Sequence, residues 1–201
     1  MPVNRQYRCS VSLGFTLIEL LVTIAVAAIL LGLAIPNFQS FFINNRLVTG
    51  ANDFVAALNT ARSEAIRRGV VVSLRKNSAT SGDWGSAGWT MFVDSDGDGT
   101  LDSGETTLKV GDALPAPLTL YANNNYQNFI RLASTGEIVN NQMGTFVFCH
   151  GGVLQQGGET RSRAIIVNAT GRVRVGIDSN GDGIPEKSND PAVNVSSCTN
   201  P

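Results

Sequence analysis

Hydrophobic and polar positions follow three successive patterns along this chain. Residues 1–14, MPVNRQYRCSVSLG, are polar and basic. From Phe15 the sequence reads FTLIELLVTIAVAAILLGLAIP, an apolar run of about twenty residues broken by a single charge, Glu19. Coiled as a helix, such a run spans about 30 Å, enough for the hydrocarbon core of a bilayer. Beyond Pro36 the period changes. Leu47, Ala51, Phe54, Leu58, Ala61 and Ala65 recur at intervals of three and four, which gathers them on one helical face. Glu64 and Arg68 make an i,i+4 pair, Arg67 and Arg68 suit the negative end of the helix dipole, and Gly69 supplies a stop. The pattern predicts one helix of about fifty residues, hydrophobic over 15–42 and amphipathic over 43–69. Its first half belongs in a membrane or a filament core, and its second half packs on a globular head.

The third pattern begins at residue 70. Short β-type runs at 70–74, 89–93, 106–110, 118–121, 129–132, 145–149, 163–167 and 172–177 alternate with turn residues. No second helical period follows, so residues 70–201 predict antiparallel sheets packed on the helix, an α+β head.

Composition changes this picture little. The 201 residues have room for one core-forming domain plus an appendage, and their richness in Gly, Asn, Ser and Thr agrees with many turns. The formal net charge is −1. Such a balance argues against a nucleic-acid binder by bulk charge, so any such role must come from a local patch. Enzyme signatures are missing. There is no GxxxxGK loop and no zinc-spaced cysteine pair, and the adjacent Cys149 and His150 point to opposite faces of a strand. Trp84 and Trp89, flanking a Gly-rich turn, read as core packing rather than a ligand platform.

The N-terminal run carries the sharpest chemical signal. Arg5 and Arg8 precede it, which places that end in the cytoplasm. A secretory signal would have its cleavage site after the apolar stretch. Here the stretch follows Gly14 directly, and Glu19 lies five residues into it, where an ionised group needs a dedicated partner. The segment Gly14-Phe15-Thr16-Leu17-Ile18-Glu19-Leu20 resembles the type IV prepilin processing motif of type IV pili and type II secretion pseudopili. The resemblance implies a 1–14 leader, removed by a prepilin peptidase that cuts after Gly14 and methylates Phe15. It also implies that Glu19, fifth in the mature chain, pairs with the N-terminal amine of a neighbouring subunit, and that Pro36 is the family's helix-kinking proline. The implied location is a single pass in the inner membrane with a periplasmic head, then assembly with other pilins into a filament. Without Arg5 and Arg8, 13 basic residues face 16 acidic ones, a balance of −3.

Within that superfamily the head is similar to the FimT/GspH group, through GWTMFVDSDGDGTLDSGE, FIRLASTG and NATGRVRV. The implied fold is the type IV pilin fold, a long N-terminal helix packed on an antiparallel β-sheet head. The group contains FimT-like minor pilins, some of which hold double-stranded DNA during uptake for natural transformation, and the H-type minor pseudopilin of type II secretion. The first is the expected function and the second its alternative. If the leader with Cys9 is removed before export, Cys149 and Cys198 become a natural pair in an oxidising compartment; three unrelated thiols are the other reading.

Two features of the head suggest ligands. DSDGDGTLDSGE fits a calcium loop: Asp94, Asp96 and Asp98 offer side-chain oxygens, Thr100 its carbonyl, Asp102 a direct or water-mediated ligand and Glu105 two oxygens. Its flanks read as strands, so a solvated hairpin turn is the alternative. Asp178, Asn180 and Asp182 begin a second such run, but its twelfth position is Asn189, which has no bidentate carboxylate. The second feature is Gly171-Arg172-Val173-Arg174. Strand alternation projects Arg172 and Arg174 together, with Arg161 and Arg163 one strand earlier as extensions of the patch, and the arginine fork suits phosphate. GRxR near the C-terminus resembles the DNA-holding motif of FimT-type pilins, to which Arg172 and Arg174 correspond. Solvated arginines on an edge strand are the alternative. Asp178, Asp182, Glu186 and Asp190 follow closely and would oppose phosphate unless neutralised.

Overall fold

The structure, a computed structural model, describes residues 14–187 and 193–201, the side chains of residues 33–37 and 124 excepted. The leader with Arg5, Arg8 and Cys9, and the tail positions Asn189 and Asp190, lie outside the described residues. A single helix, α1 (Leu17–Arg68), runs through Pro36. The chain divides into two compact units between Ser40 and Phe41.

In the N-terminal unit the helix starts because Thr16 caps it. The Thr16 carbonyl accepts the first helical bond from the Leu20 N–H (3.2 Å), and its hydroxyl accepts from the Glu19 N–H (3.2 Å), satisfying one orphan donor of the first turn. Phe15, Leu17, Ile18, Leu20, Leu21, Val22, Ile24 and the apolar residues up to Leu31 are all exposed. The described apolar side chains extend over residues 17–32, about 24 Å at ~1.5 Å per residue, and Glu19 interrupts them. Among the described residues no helix is long and apolar enough to cross a membrane.

In the second unit the helical period does what it predicts. Leu47, Ala51, Phe54, Leu58, Ala61 and Ala65 are at most 3% exposed, and Ala57 joins them. The helix ends where the Gly69 N–H bonds the Ala65 carbonyl (2.9 Å). Glu64 pairs with both Arg67 and Arg68 (2.6 Å each), and these guanidiniums hold its carboxyl down to about 2.

Among the described residues ten strands follow: β1 (Val72–Lys76), β2 (Trp89–Val93), β3 (Thr107–Gly111), β4 (Leu118–Ala122), β5 (Phe129–Leu132), β6 (Gly144–His150), β7 (Gln155–Gln156), β8 (Glu159–Thr160), β9 (Ser162–Val167) and β10 (Val173–Val175). They form two four-stranded antiparallel sheets, ordered β3-β2-β1-β5 and β10-β9-β6-β4, and the small hairpin β7-β8. β1 starts at Val72 rather than 70 because Gly69 and Val70 still bond back to the helix. Both sheets bury one face against residues 47–65 of the helix. Phe54 is the hub, with Trp84, Trp89, Phe146 and Phe148 arranged edge-on around it at 4.9–6.2 Å. Trp84 is buried and donates its indole N–H to the Tyr126 carbonyl (2.8 Å), consistent with a core role.

Candidate functional site

The second sheet uses both of its faces. Ile165 and Val167 face the helix, whereas Val147, Cys149 and Ala164 form a separate buried cluster with Val195 and Cys198 of the C-terminal tail. The tail is tied down by the Cys149–Cys198 disulfide and by hydrogen bonds from Val195 N–H to Pro185 O and from Lys187 N–H to Val193 O. Cys149 is therefore committed, and no thiol stands beside His150. Burial, then the charges of Arg161 and Arg46, lowers the pKa of that histidine.

Register decides which arginines share a surface. β10 pairs with β9 as Val173↔Val167 and Arg174↔Ile166, so Val173 faces the helix with Val167 while Arg174 lies on the opposite face beside Ile166. The Asn168–Gly171 turn sets this register: Gly171 N–H bonds Asn168 O (2.9 Å), and the Asn168 side chain accepts from Arg172 N–H (2.8 Å). Arg62 of the helix clasps that turn, donating to Thr170 O (3.2 Å) and to Gly136 O (2.9 Å). Arg172 is exposed, and half-buried Arg174 donates to the Lys187 carbonyl (2.8 Å). Ile166, Asn168, Arg172 and Arg174 line a shallow cavity of about 290 Å³. A second cavity of about 400 Å³ shares Ile166, Asn168 and Arg174 and adds Lys187 and Thr145. The two form one trough with Arg172, Arg174 and Lys187 along it.

Arg161 and Arg163 do not join it. Arg163 alternates with Ile165 and Val167 onto the helix-facing side, where it donates to Asn44 Oδ1 (2.6 Å) and burial holds its guanidinium below the ordinary value. Arg161 is buried and paired with Glu159 (2.9 Å). The described acids next to the trough are turned onto their own loop. Asp178 accepts the N–H groups of Gly181, Asp182 and Gly183, and Glu186, 2% exposed, accepts from Ser179 and Asn180. Asp182 accepts from the Ile184 N–H and from the side chains of Asn194 and Asn180, bonds that lower its pKa. Lys187, Asn168 and Arg62 carry no sequence signal for these roles, because each acts through a partner brought in by folding.

The first acidic loop joins β2 to β3. Carboxylate oxygens of Asp94, Asp96 and Asp98 lie within 4.8 Å of one another. Glu105 closes the loop instead of joining them, accepting from Ser95 N–H (2.6 Å) and Asp102 N–H (3.0 Å). The Thr100 hydroxyl accepts from Arg75 (2.9 Å), and its N–H donates to Asp98. Desolvation, then the charges of Asp98, Asp96, Glu105 and Asp94, pushes the Asp102 carboxyl above its ordinary value.

Comparison with known proteins places this geometry. Residues 10–35 match the prokaryotic N-terminal methylation motif. The chain is 35% identical over 94 residues to the pilin-like protein PilA1 of Thermus thermophilus, covering 46% of this chain and 54% of that protein. It is 36% identical over 110 residues to a fimbrial protein of Pseudomonas aeruginosa, covering 54% of this chain and 66% of that one. The chain thus spans between about half and two thirds of the length of these relatives. The crystal structure of the Pseudomonas aeruginosa type IV minor pilin FimU superimposes with a TM-score of 0.55 at 22% identity, covering 79% of this chain and 98% of FimU, so the type IV pilin fold is shared. Residues 50–171, more than half the chain, match the family described as type II transport protein GspH, and this chain belongs to that family.

Proposed function

We propose that this chain is the precursor of a minor type IV pilin whose head binds double-stranded DNA through Arg172 and Arg174. The observation that carries the reading is the trough on the outer face of the second sheet, where Arg172 and Arg174 line one cavity with Ile166 and Asn168 and the nearby described acids bond their own loop. Planar guanidiniums bond phosphate oxygens in pairs, and such contacts are insensitive to base sequence. In this reading a prepilin peptidase cuts between Gly14 and Phe15 and methylates Phe15, and the apolar segment holds the protein in the inner membrane until assembly. The exposed side chains of 15–31 support burial of that segment against lipid or other subunits. Glu19, alone among them in charge, pairs with the new N-terminal amine of a neighbouring subunit, because a carboxylate taken out of water needs a cation.

The full chain in a non-ionic detergent, titrated with duplex DNA over a series of salt concentrations, tests this. The double variant Arg172→Gln, Arg174→Gln is expected to bind at least about tenfold more weakly, with a log–log salt slope lower by about 1.8, the value for two lost phosphate contacts. No binding by the intact protein at low salt, or equal binding by the variant, would overturn the DNA role. The match to the GspH family favours one second reading, an H-type minor pseudopilin of type II secretion. Deleting the gene and scoring transformation, twitching and exoprotein secretion separates the two.

A further inference from the structure

We propose that the β2–β3 turn is a calcium site in which Asp94, Asp96 and Asp98 supply carboxylate oxygens to one ion. The argument starts from a polar atom that the fold leaves unsatisfied. Asp94 is 1% exposed and held beside β1, its N–H donating to Val71 O (3.0 Å). Its Oδ2 accepts from the Ser73 hydroxyl (2.5 Å) and the Gly99 N–H (3.0 Å). Its Oδ1 is buried with no hydrogen-bond partner. A buried carboxylate with one bare oxygen is an arrangement that folded proteins rarely leave uncompensated. Asp94 belongs to the same cluster as the exposed Asp96 and Asp98, one carboxylate oxygen of each lying within 4.8 Å of the others.

The ligands select the ion. The cluster offers carboxylate oxygens, which suit a hard cation. Calcium takes about six to eight oxygens in flexible geometry, whereas magnesium demands a near-ideal octahedron and gives up its water reluctantly. Charge agrees. Among the described residues, none of Asp94, Asp96, Asp98, Asp102 and Glu105 takes part in an ion pair. The two nearest arginines bond the loop in other ways: Arg75 donates to Gly99 O and the Thr100 hydroxyl (2.9 Å each), and Arg131 donates to Gly97 O. These contacts shape the loop from the sheet side, and neither arginine makes a salt bridge to a carboxylate of the loop. Gly99, at φ 78°, makes the sharp turn, and a Cβ there would collide with the Phe129 ring. With Glu105 engaged by the loop's own N–H groups, water completes the coordination. An affinity in the range of extracellular calcium modules, about 10⁻⁴–10⁻³ M, is expected.

The full chain in non-ionic detergent, stripped with a chelator, is titrated calorimetrically with calcium chloride and, in parallel, magnesium chloride. One calcium is expected to bind, magnesium at least about tenfold more weakly, and calcium alone is expected to raise the unfolding temperature followed by tryptophan fluorescence. The variant Asp96→Asn, Asp98→Asn alters two exposed side chains, keeps the fold, and is expected to lose at least about tenfold in calcium affinity. Three results would each overturn the site: no calcium binding up to ~10 mM, equal binding of magnesium, or undiminished calcium binding by the variant. The last would move the ion to the loop around Asp178 and Asp182.

Discussion

Cutting the Cys149–Cys198 bond should release more stability than any surface change in this protein. The bond links residues 49 apart, and closing a loop of that length removes chain entropy from the unfolded state worth about 4 kcal/mol at 25 °C. The native state loses little in return. Cys149 is fully buried and Cys198 only 5% exposed, in an apolar cluster with Val147, Ala164 and Val195, so Cys198→Ala leaves a small hydrophobe facing a buried thiol. Urea unfolding of the full chain in detergent, followed by fluorescence, is the assay. Both tryptophans, Trp84 and Trp89, sit in the head's core, so the signal reports that unit. With a slope of about 2 kcal/mol per molar urea, the midpoint of Cys198→Ala should fall by about 2 M. Reduced wild type should coincide with the variant. A fall of less than about 0.5 M would refute the reasoning, because the unfolded chain would then gain no freedom from losing the cross-link.

Gly171→Ala tests the turn that aims Arg172. Its φ is 73° and an added Cβ would strike the Gly136 carbonyl, so a loss of about 2 kcal/mol or more by denaturation is expected, with weaker DNA binding. Unchanged stability would contradict the turn geometry. His150 is the chain's only histidine, and burial, then Arg161 and Arg46, favours its neutral form in the fold. With the folded pKa below the unfolded value of 6.5, the unfolded chain binds more protons between the two. Stability should therefore be level above about pH 6.5, decline below it, and level again beneath the folded pKa. His150→Gln should flatten that step in denaturation curves taken at a series of pH values.

The parts of the fold legible in the sequence are those that depend on local periodicity. The helix is written in the spacing of Leu47 to Ala65 and ends at Gly69, and each of the eight expected strands overlaps an observed one. The β7–β8 hairpin was not anticipated, although Gly157-Gly158 between Gln156 and Glu159 is a two-residue turn signal. What periodicity lacks is register. Alternation alone grouped Arg161 and Arg163 with Arg172 and Arg174, but pairing Arg174 with Ile166 puts the even-numbered residues of β9 on its face and sends Arg163 to the helix side. One residue of slip in the Asn168–Gly171 turn would have reversed that. In the acidic loop, spacing located Asp94, Asp96 and Asp98 correctly as neighbours, while the diversion of Glu105 onto Ser95 and Asp102 depends on loop closure.

The sequence did contain one unexploited clue to the trough. β6 reads GTFVFCH, a nearly unbroken buried run rather than an alternation, and such a strand is covered on both faces. The helix accounts for one cover, through Phe146 and Phe148. Something else must lie over Val147 and Cys149, and among the described residues the tail that carries Cys198 does so, with Leu154 and Ile184 packed beside it. That cover is partial. Among the described residues, Val195, Ile184 and Cys198 shield Val147, Cys149 and Ala164, whereas towards β10 the tail offers a Lys187 carbonyl to Arg174, and half-buried Ile166 and Asn168 line the trough. The trough is thus the uncovered margin of a sheet face whose apolar centre is sealed. Arg174 is fixed by the same tail that the disulfide holds in place. Loss of the cross-link should accordingly weaken DNA binding under conditions where the head is still folded, through Arg174 and not through Arg172, which the Asn168 turn positions independently.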